Sequence, residues 1–360
     1  MTRARAALAA LAALAWPRHA PACAAAHPVE VPVQIADESA IIVWDEPSRT
    51  EHFIRRATFR TAADDFGFLV PTPAVPALGE VDDAVFVALE DLVKPKVILR
   101  PRFDGFEPSG ICFLTLGSRS MDDARLEASV RVLASQRVAG YDAVVLEADD
   151  APALAKWLEE HRYAPRPDLT EWLAPYVKAR WKITAFRMAP RGAGAPAGAG
   201  RVDASAVRMT FATDRPFFPY REPADQRTTV HAALPAGERD RSLHVFFLGP
   251  SRVGGAIGGG APWPGETRWA DAVDPGRLAA LPLPVAVPAG AWLTAFRDTS
   301  SPRPGTDDLF FSPSADEGPV MPPPVVIDDP YRVPILLDVL VFLGLGGWAV
   351  YSLRNRLRAR

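Results

Sequence analysis

The chain has 360 residues, a formal net charge of −3 and two cysteines. This balance supplies no basic field for nucleic acid and no strong acidic field for cations, so we do not expect nucleic-acid binding. The 37 prolines and 25 glycines predict many turns, as a β-rich extracytoplasmic protein would need.

Residues 1–26 have the three-part layout of a secretory signal peptide: Arg3 and Arg5, a short apolar stretch, and small residues before a cleavage point after Ala22 or Ala26. The apolar stretch is far below the roughly 20 residues that a membrane span needs, so we expect its removal after export. Two alternatives stay open, namely retention as an N-terminal anchor and lipidation of Cys23. Export predicts that the folded part lies outside the cytoplasm.

Residues 333–353 are almost wholly apolar, and at about 1.5 Å per residue they could cross a hydrocarbon layer of about 30 Å. Basic residues beside a span stay on the cytoplasmic side. Four arginines follow in the tail 354–360: Arg354, Arg356, Arg358 and Arg360. The sequence therefore predicts a single-pass membrane protein that contacts lipid through this helix and ends in the cytoplasm. A processed C-terminal sorting tag has a similar layout and stays open as an alternative, although no Leu-Pro-x-Thr-Gly motif precedes the helix.

Residues 27–190 mix strand and helix patterns, which predicts an α+β domain with an antiparallel or mixed sheet and two to three helices. Predicted helices begin at Asp82-Asp83, at Asp149-Asp150 and at Asp168, where Glu171 gives a capping-box-like pair and Pro175 should kink the helix. Apolar and alternating runs predict strands at 40–44, 52–59, 66–70, 97–100, 112–116, 126–134, 141–147 and 181–188.

Glycine and alanine dominate residues 191–200, which predicts a flexible linker that divides the exported part. Residues 201–311 then predict a smaller β-rich domain. Its predicted strands are 207–212, 228–234, 243–248, 292–297 and 309–311. The proline-rich residues 312–332 predict an extended stalk.

The two cysteines, Cys23 and Cys112, could form one disulfide, because an exported chain with an even count usually pairs them. Signal cleavage after Ala26 would remove Cys23 and leave Cys112 alone, so both outcomes stay open.

Two segments resemble a bacterial exported family known as domain of unknown function 2330. The first is VPVQIADESAIIVWDEPSRTEHFIRRATFRTAADDFGFLVPTP at 31–73, with Gln34 near its start and an aromatic-apolar-Val-Pro-x-Pro end. The second is YDAVVLEADDAPALAKWLEEHRY at 141–163, and the likeness resumes at 291–311. The resemblance implies a coherent exported fold in the bacterial envelope and no particular activity. Members often carry Cys-Gly-Gly after the signal peptide, where this chain has Cys23 before alanines, so the N-terminal disulfide of the family is in doubt here.

No motif indicates a catalytic, cofactor or metal site. The six Asp-Asp pairs are explained by helix caps and turns, and the histidines lack metal-ligand spacing. The glycine-rich residues 254–260 lack the Lys-Ser or Lys-Thr of a phosphate loop. This exposed loop, with Trp263 and Trp269, could instead be a recognition element.

The sequence thus favours a non-enzymatic, membrane-anchored binding or envelope-assembly protein that meets an unidentified envelope protein. Two alternatives stay open. One is an envelope hydrolase whose site is assembled from distant residues, and the other is a purely structural spacer.

Overall fold

The computed structural model describes residues 24–26, 33–61, 66–109, 137–161, 163, 166–188, 200–227, 240–288 and 290–358. These residues fall into two compact units. The first unit takes in the described residues within Met1–Lys94 and Leu133–Met321, and the second takes in those within Pro95–Val132 and Pro322–Arg360.

The fold is a strand-rich α+β arrangement, as predicted. The helices are α1 Ala84–Val93, α2 Ala151–Glu160, α3 Pro167–Lys178, α4 Pro275–Ala280 and α5 Leu337–Arg358. The strands are β1 Ala24–Ala26, β2 Val33–Asp45, β3 Thr50–Thr61, β4 Gly67–Thr72, β5 Ala77–Glu80, β6 Val97–Ser109, β7 Arg137–Val138, β8 Tyr141–Leu146, β9 Lys182–Met188, β10 Gly200–Ala212, β11 Phe217–Phe218, β12 Ser242–Gly249, β13 Val253–Ile257, β14 Ala261–Pro262, β15 Glu266–Ala272, β16 Trp292–Asp298, β17 Leu309–Pro313 and β18 Val325–Leu336.

The first unit contains three sheets. A seven-stranded sheet has the order β15-β16-β12-β2-β3-β10-β5, and its strands are antiparallel except for the parallel pair β2 and β12. A five-stranded sheet has the order β1-β4-β9-β8-β7, and a four-stranded sheet has the order β11-β17-β13-β14. The prediction of a mainly antiparallel sheet is therefore confirmed.

The seven-stranded sheet is covered on both faces. Ala40, Ile42 and Trp44 of β2 belong to a core shared with the two smaller sheets, whereas Ile41 and Val43 belong to a second core shared with α1 and α4. Because successive side chains of a strand point to opposite faces, two covered faces require the continuous apolar run of β2. A third core joins α2 and α3 to the five-stranded sheet.

The predicted linker at 191–200 does not divide the structure into two domains. Strand β10 follows it, yet β10 lies between β3 and β5, which both precede it. Residues 201–311 therefore do not form a separate β-rich domain, because their longest strands complete the sheet that the first half begins. Residues 191–199 themselves lie outside the described part of the chain.

Helices α1, α2 and α3 confirm the three predicted helices, with one error at a helix start. The Asp150 side chain caps α2 by accepting a hydrogen bond from the Ala153 N–H at 2.6 Å. Helix α3 begins instead at Pro167, after an Arg166 that makes no side-chain cap, so the predicted cap at Asp168 is wrong. Proline suits a first helical position because its φ is already helical. The helix continues past Pro175 to Lys178.

The second unit is a two-stranded ribbon followed by α5. Strands β6 and β18 run parallel, and their register runs from Val97 opposite Val325 to Ser109 opposite Leu336. The prediction of an extended stalk over 312–332 is therefore corrected, because its first residues belong to β17 and its last residues belong to β18, which is hydrogen-bonded to β6. The ribbon also extends to Leu336, so the helix begins at Leu337 rather than at residue 333 and includes part of the arginine tail.

The predicted transmembrane helix over 333–353 is not supported. Within the described residues, no helix combines the length and the apolar character that crossing a membrane requires.

Candidate functional site

A pocket of about 450 Å³ opens in the first unit where the ends of β2, β12, β13 and β17 come together. We name it the Trp44 pocket. Its volume falls within the range of about 300–1,000 Å³ that is usual for pockets that bind small ligands.

The floor of the Trp44 pocket is aromatic and apolar. It includes Trp44, Phe247, Val253 and Phe311. These side chains belong to the core between the sheets, and Trp44 is only 7% exposed. Each lies at an inward-facing position of its strand, where alternation along the strand continues the core to the sheet end. The pocket therefore offers a preformed apolar surface at the edge of a rigid core.

Charged side chains surround the entrance. Asp214 forms an ion pair with Arg49 at 3.2 Å, and both side chains are exposed. The Arg215 guanidinium carbon lies 3.5 Å from the centre of the Phe310 ring, which is a cation–π contact. Glu46 is exposed at the same entrance, and within the described residues its carboxylate has no ion-pair partner. The entrance thus combines two carboxylates with one guanidinium that is held on an aromatic ring.

Glycines form one wall. Gly258 and Gly260 have φ values of +56° and +122°, which side-chain-bearing residues rarely adopt. The Gly258 N–H donates to the Asp308 carbonyl at 2.8 Å, and the Gly260 N–H donates to the Ile257 carbonyl at 3.1 Å. The turn is therefore fixed by its own hydrogen bonds. Four residues of the predicted recognition loop line the pocket, namely Ala256 and residues 258–260.

The two tryptophans of that loop have other positions. The Trp263 indole N–H donates to an Asp298 carboxylate oxygen at 3.2 Å, and its ring lies 5.2 Å from that of Phe296. Trp269 is 8% exposed and belongs to the core beneath α1 and α4. Neither side chain lines the Trp44 pocket. Sequence reasoning did not select Trp44, Arg215 or Phe310, and only their positions at strand ends could have suggested them.

A buried ionic network lies elsewhere in the first unit. Glu38 accepts hydrogen bonds from Arg55 at 2.5 Å and from Arg303 at 3.1 Å. Glu222 binds Arg241 through two hydrogen bonds, of 2.9 and 2.5 Å. Burial alone would raise the pKa of Glu38, but Arg55 and Arg303 outweigh burial and hold the pKa below its usual value. All five side chains are at most 8% exposed, so this network has a structural role.

Two buried carboxyl groups have raised pKa values. Burial raises the pKa of Asp308 to about 7, although the Tyr176 hydroxyl donates to its carboxylate at 2.9 Å. Burial also raises the pKa of Glu51 well above its usual value, against a hydrogen bond of 2.9 Å from the Phe217 N–H. Both side chains are at most 3% exposed and neither lines the pocket. A substrate in the pocket would therefore not meet either carboxyl group.

Of the other predicted site residues, none that the structure describes lines the Trp44 pocket. Arg354, Arg356 and Arg358 are exposed at the end of α5, whereas Arg360, Cys23 and Cys112 lie outside the described residues. His52, His161 and His244 make separate contacts, to Thr210, to the Trp157 carbonyl and to Glu90. In the described part of the chain, no three His, Cys, Asp or Glu side chains are grouped as a metal site would require.

Comparison with known proteins adds one family. No match was found among curated proteins. Among solved structures, the crystal structure of baculovirus P35 aligns with 83% of this chain and 98% of that chain, with 8% identity and a TM-score of 0.31. A score this low does not establish a shared fold.

The sequence model of a bacterial family described as "Uncharacterized protein conserved in bacteria (DUF2330)" matches residues 17–256, about two thirds of the chain. The match includes two of the three segments on which the resemblance was based, 31–73 and 141–163. The chain therefore belongs to the DUF2330 family.

Proposed function

We propose that this chain is a membrane-attached, extracytoplasmic binding protein whose Trp44 pocket holds part of an envelope partner. The observation that carries the proposal is the pocket itself, which joins an aromatic floor to a charged entrance. Apolar area supplies the free energy of binding, and a few placed polar groups supply orientation. A purely structural spacer would not need such a pocket.

The lining favours binding over catalysis. Among the described residues that form the pocket, Ser251 and Ser312 have no histidine or lysine beside them in the lining to act as a base, and the carboxylates of Glu46 and Asp214 are exposed at the entrance. The carboxyl group with a pKa of about 7, that of Asp308, is buried and outside the lining. The hydrolase alternative therefore has less support than a binding role.

Helix α5 supports membrane attachment. Its large apolar side chains from Leu343 onward are 58–71% exposed. At 100° per residue, Leu343, Leu345, Trp348, Tyr351 and Leu353 are distributed around the whole helix. A helix that is apolar all round is typically buried in protein or lipid. We infer that lipid covers these side chains, so that α5 holds the chain at the membrane.

Site-specific photo-crosslinking in the native membrane tests the binding role. A photoreactive residue at Ser312, an exposed pocket residue, should give a discrete adduct, and one at the exposed Glu171 of α3 should not. Gly259→Trp should abolish the adduct, because Gly259 lines the pocket and a side chain there would meet open space. Equal adducts at both positions, or an adduct that survives Gly259→Trp, would contradict binding in the pocket.

Membrane attachment has an independent test. The full-length chain should stay with the bilayer through alkaline carbonate extraction. Replacing both Leu345 and Val350 by Glu should release the protein. Release of the unaltered chain by carbonate would refute attachment through α5, without bearing on the pocket.

A further inference from the structure

We propose that the Trp44 pocket selects an organic cation with an apolar stem, such as the side chain of a lysine or arginine. This inference rests on the proposed binding role and specifies the ligand of the same pocket. It follows from three features of the lining: its hydrogen-bond donors, its carboxylates and the position of Arg215.

Several backbone N–H groups of the pocket walls are missing or already used. Three of the lining residues, Pro216, Pro250 and Pro313, have no backbone N–H. Other backbone N–H groups are already used. Gly258 and Gly260 donate within their turn, Val253 donates to the Thr294 hydroxyl at 3.3 Å, and Phe311 donates to the Pro216 carbonyl at 3.0 Å. An anion such as phosphate or a carboxylate would therefore have to rely on Arg215 and on the hydroxyls of Ser251 and Ser312, and the Arg215 guanidinium already lies on the Phe310 ring.

Carboxylate acceptors are available at the entrance of the pocket. The exposed Glu46 carboxylate has no ion pair within the described residues. Asp214 is paired with Arg49, but the two side chains are 93% and 71% exposed, and such a surface pair contributes little. A cationic head at the entrance would therefore gain a carboxylate partner without breaking a buried ion pair.

Arg215 shows that an aromatic face of this pocket accepts a guanidinium. Its guanidinium carbon lies 3.5 Å from the Phe310 ring centre, and Phe310 is itself part of the lining. Cations bind to aromatic faces through the ring quadrupole, and the contact strengthens where water is excluded. Arg215 would compete with an incoming cation for this face and would repel it. Removing Arg215 should therefore strengthen cation binding.

The aromatic floor of the pocket is the reason why we expect the ligand to have an apolar stem. Trp44, Phe247 and Phe311 present carbon atoms, so the part of the ligand that enters must be apolar. A lysine or arginine side chain combines such a stem with a charged head that stays at the surface. A free alkylamine has the same chemistry.

Three probes of similar size but different charge test the inference: n-butylammonium, n-butanol and butyrate. The full chain, labelled with 5-fluorotryptophan and held in lipid nanodiscs, is titrated with each. The fluorine resonance of Trp44, assigned by its absence in Trp44→Phe, reports binding on the pocket floor. We expect n-butylammonium to bind about threefold more tightly than n-butanol, because one exposed charge contact contributes about this much. Butyrate should bind most weakly of the three.

Variants with matched controls identify the groups responsible. Glu46→Gln should lower the affinity for n-butylammonium about threefold, whereas Glu317→Gln, at another exposed glutamate, should leave it unchanged. Arg215→Ala should raise this affinity about threefold, whereas Arg268→Ala should not change it.

The outcomes separate the two proposals. Equal binding of all three probes, or tightest binding of butyrate, would overturn the selection of cations and leave the binding role in place. No fluorine shift with any probe would overturn both. A tripeptide, N-acetyl-Gly-Lys-Gly-amide, distinguishes the sources of the cation: tighter binding than n-butylammonium would support a partner protein, and weaker binding would support a small amine.

Discussion

Replacing Asp308 by Asn should remove a pH dependence of stability that the fold imposes. In the folded chain, burial raises the pKa of this carboxyl group from 3.8 to about 7. The unfolded chain therefore loses the proton near pH 4, whereas the folded chain keeps it up to about pH 7. The folded state binds more protons across this window, so the stability of the native chain falls as the pH rises through it, and the loss is complete above about pH 7.

The magnitude follows from the size of the shift. Each pKa unit corresponds to about 1.4 kcal/mol, so between pH 5 and pH 8 the native chain should lose about 3 kcal/mol through Asp308 alone. Asn cannot ionise, and its side-chain oxygen can still accept the hydrogen bond that Tyr176 donates at 2.9 Å. The unfolding free energy of the variant, relative to that of the native chain, should therefore rise by about 3 kcal/mol between pH 5 and pH 8.

Urea unfolding of both chains at pH 5, 6, 7 and 8 measures the difference. Asp149→Asn serves as the control, because Asp149 is exposed and its replacement should leave the pH dependence as it is. If the unfolding free energies of the native chain and of Asp308→Asn differ by the same amount at every pH from 5 to 8, the protonated, buried state of Asp308 is refuted.

Three other predictions concern the first unit. Glu51→Gln should raise the melting temperature at pH 8 more than at pH 5, because burial raises the pKa of Glu51 and Gln keeps an acceptor for the Phe217 N–H. An equal change of melting temperature at both pH values would count against a neutral Glu51. Gly258→Ala should lower the unfolding free energy by about 1–2 kcal/mol, because its φ is +56° and a Cβ would lie 2.7 Å from the Asp307 side chain. Gly259→Ala, where a Cβ meets open space, should have little effect on urea unfolding. Equal losses in the two variants would contradict this account of the turn. Arg303→Met should lower the unfolding free energy by about 3–5 kcal/mol, because Glu38 and Glu222 each lose a buried cationic partner. A double-mutant cycle with Glu38→Gln should show strong coupling between the two residues. Additive effects of the two substitutions would exclude a network.

Local patterns were enough to predict most elements that the structure describes. The apolar face of α2, with Leu154 and Leu158, and the continuous apolar run of β2 both follow from residue spacing. Periodicity indicates which side chains of a helix or strand share a face, and this pattern lies in neighbouring residues. The family resemblance was likewise carried by short segments, and the family match confirmed it.

Domain division and strand pairing depended on contacts between distant residues. A Gly-Ala segment looks like a boundary in the sequence, but β10 beyond it pairs with β3 through eleven register positions that start at Gly200 opposite Thr61. The predicted stalk failed for the same reason, because nothing near β18 in the sequence indicates β6 as its partner. Hydrogen bonds between strands carry no local sequence signal that selects a distant partner.

The sequence by itself determined most of the strand and helix composition and membership of the DUF2330 family. Only the tertiary structure decided that one seven-stranded sheet joins both halves of the chain and that Trp44, Arg215 and Phe310 meet around one pocket. The physical reason is that these three residues lie in β2, before β11 and in β17, and the pairing of strands brings them together. A binding pocket is a property of that pairing, whereas a helix or strand is largely a property of its own residues.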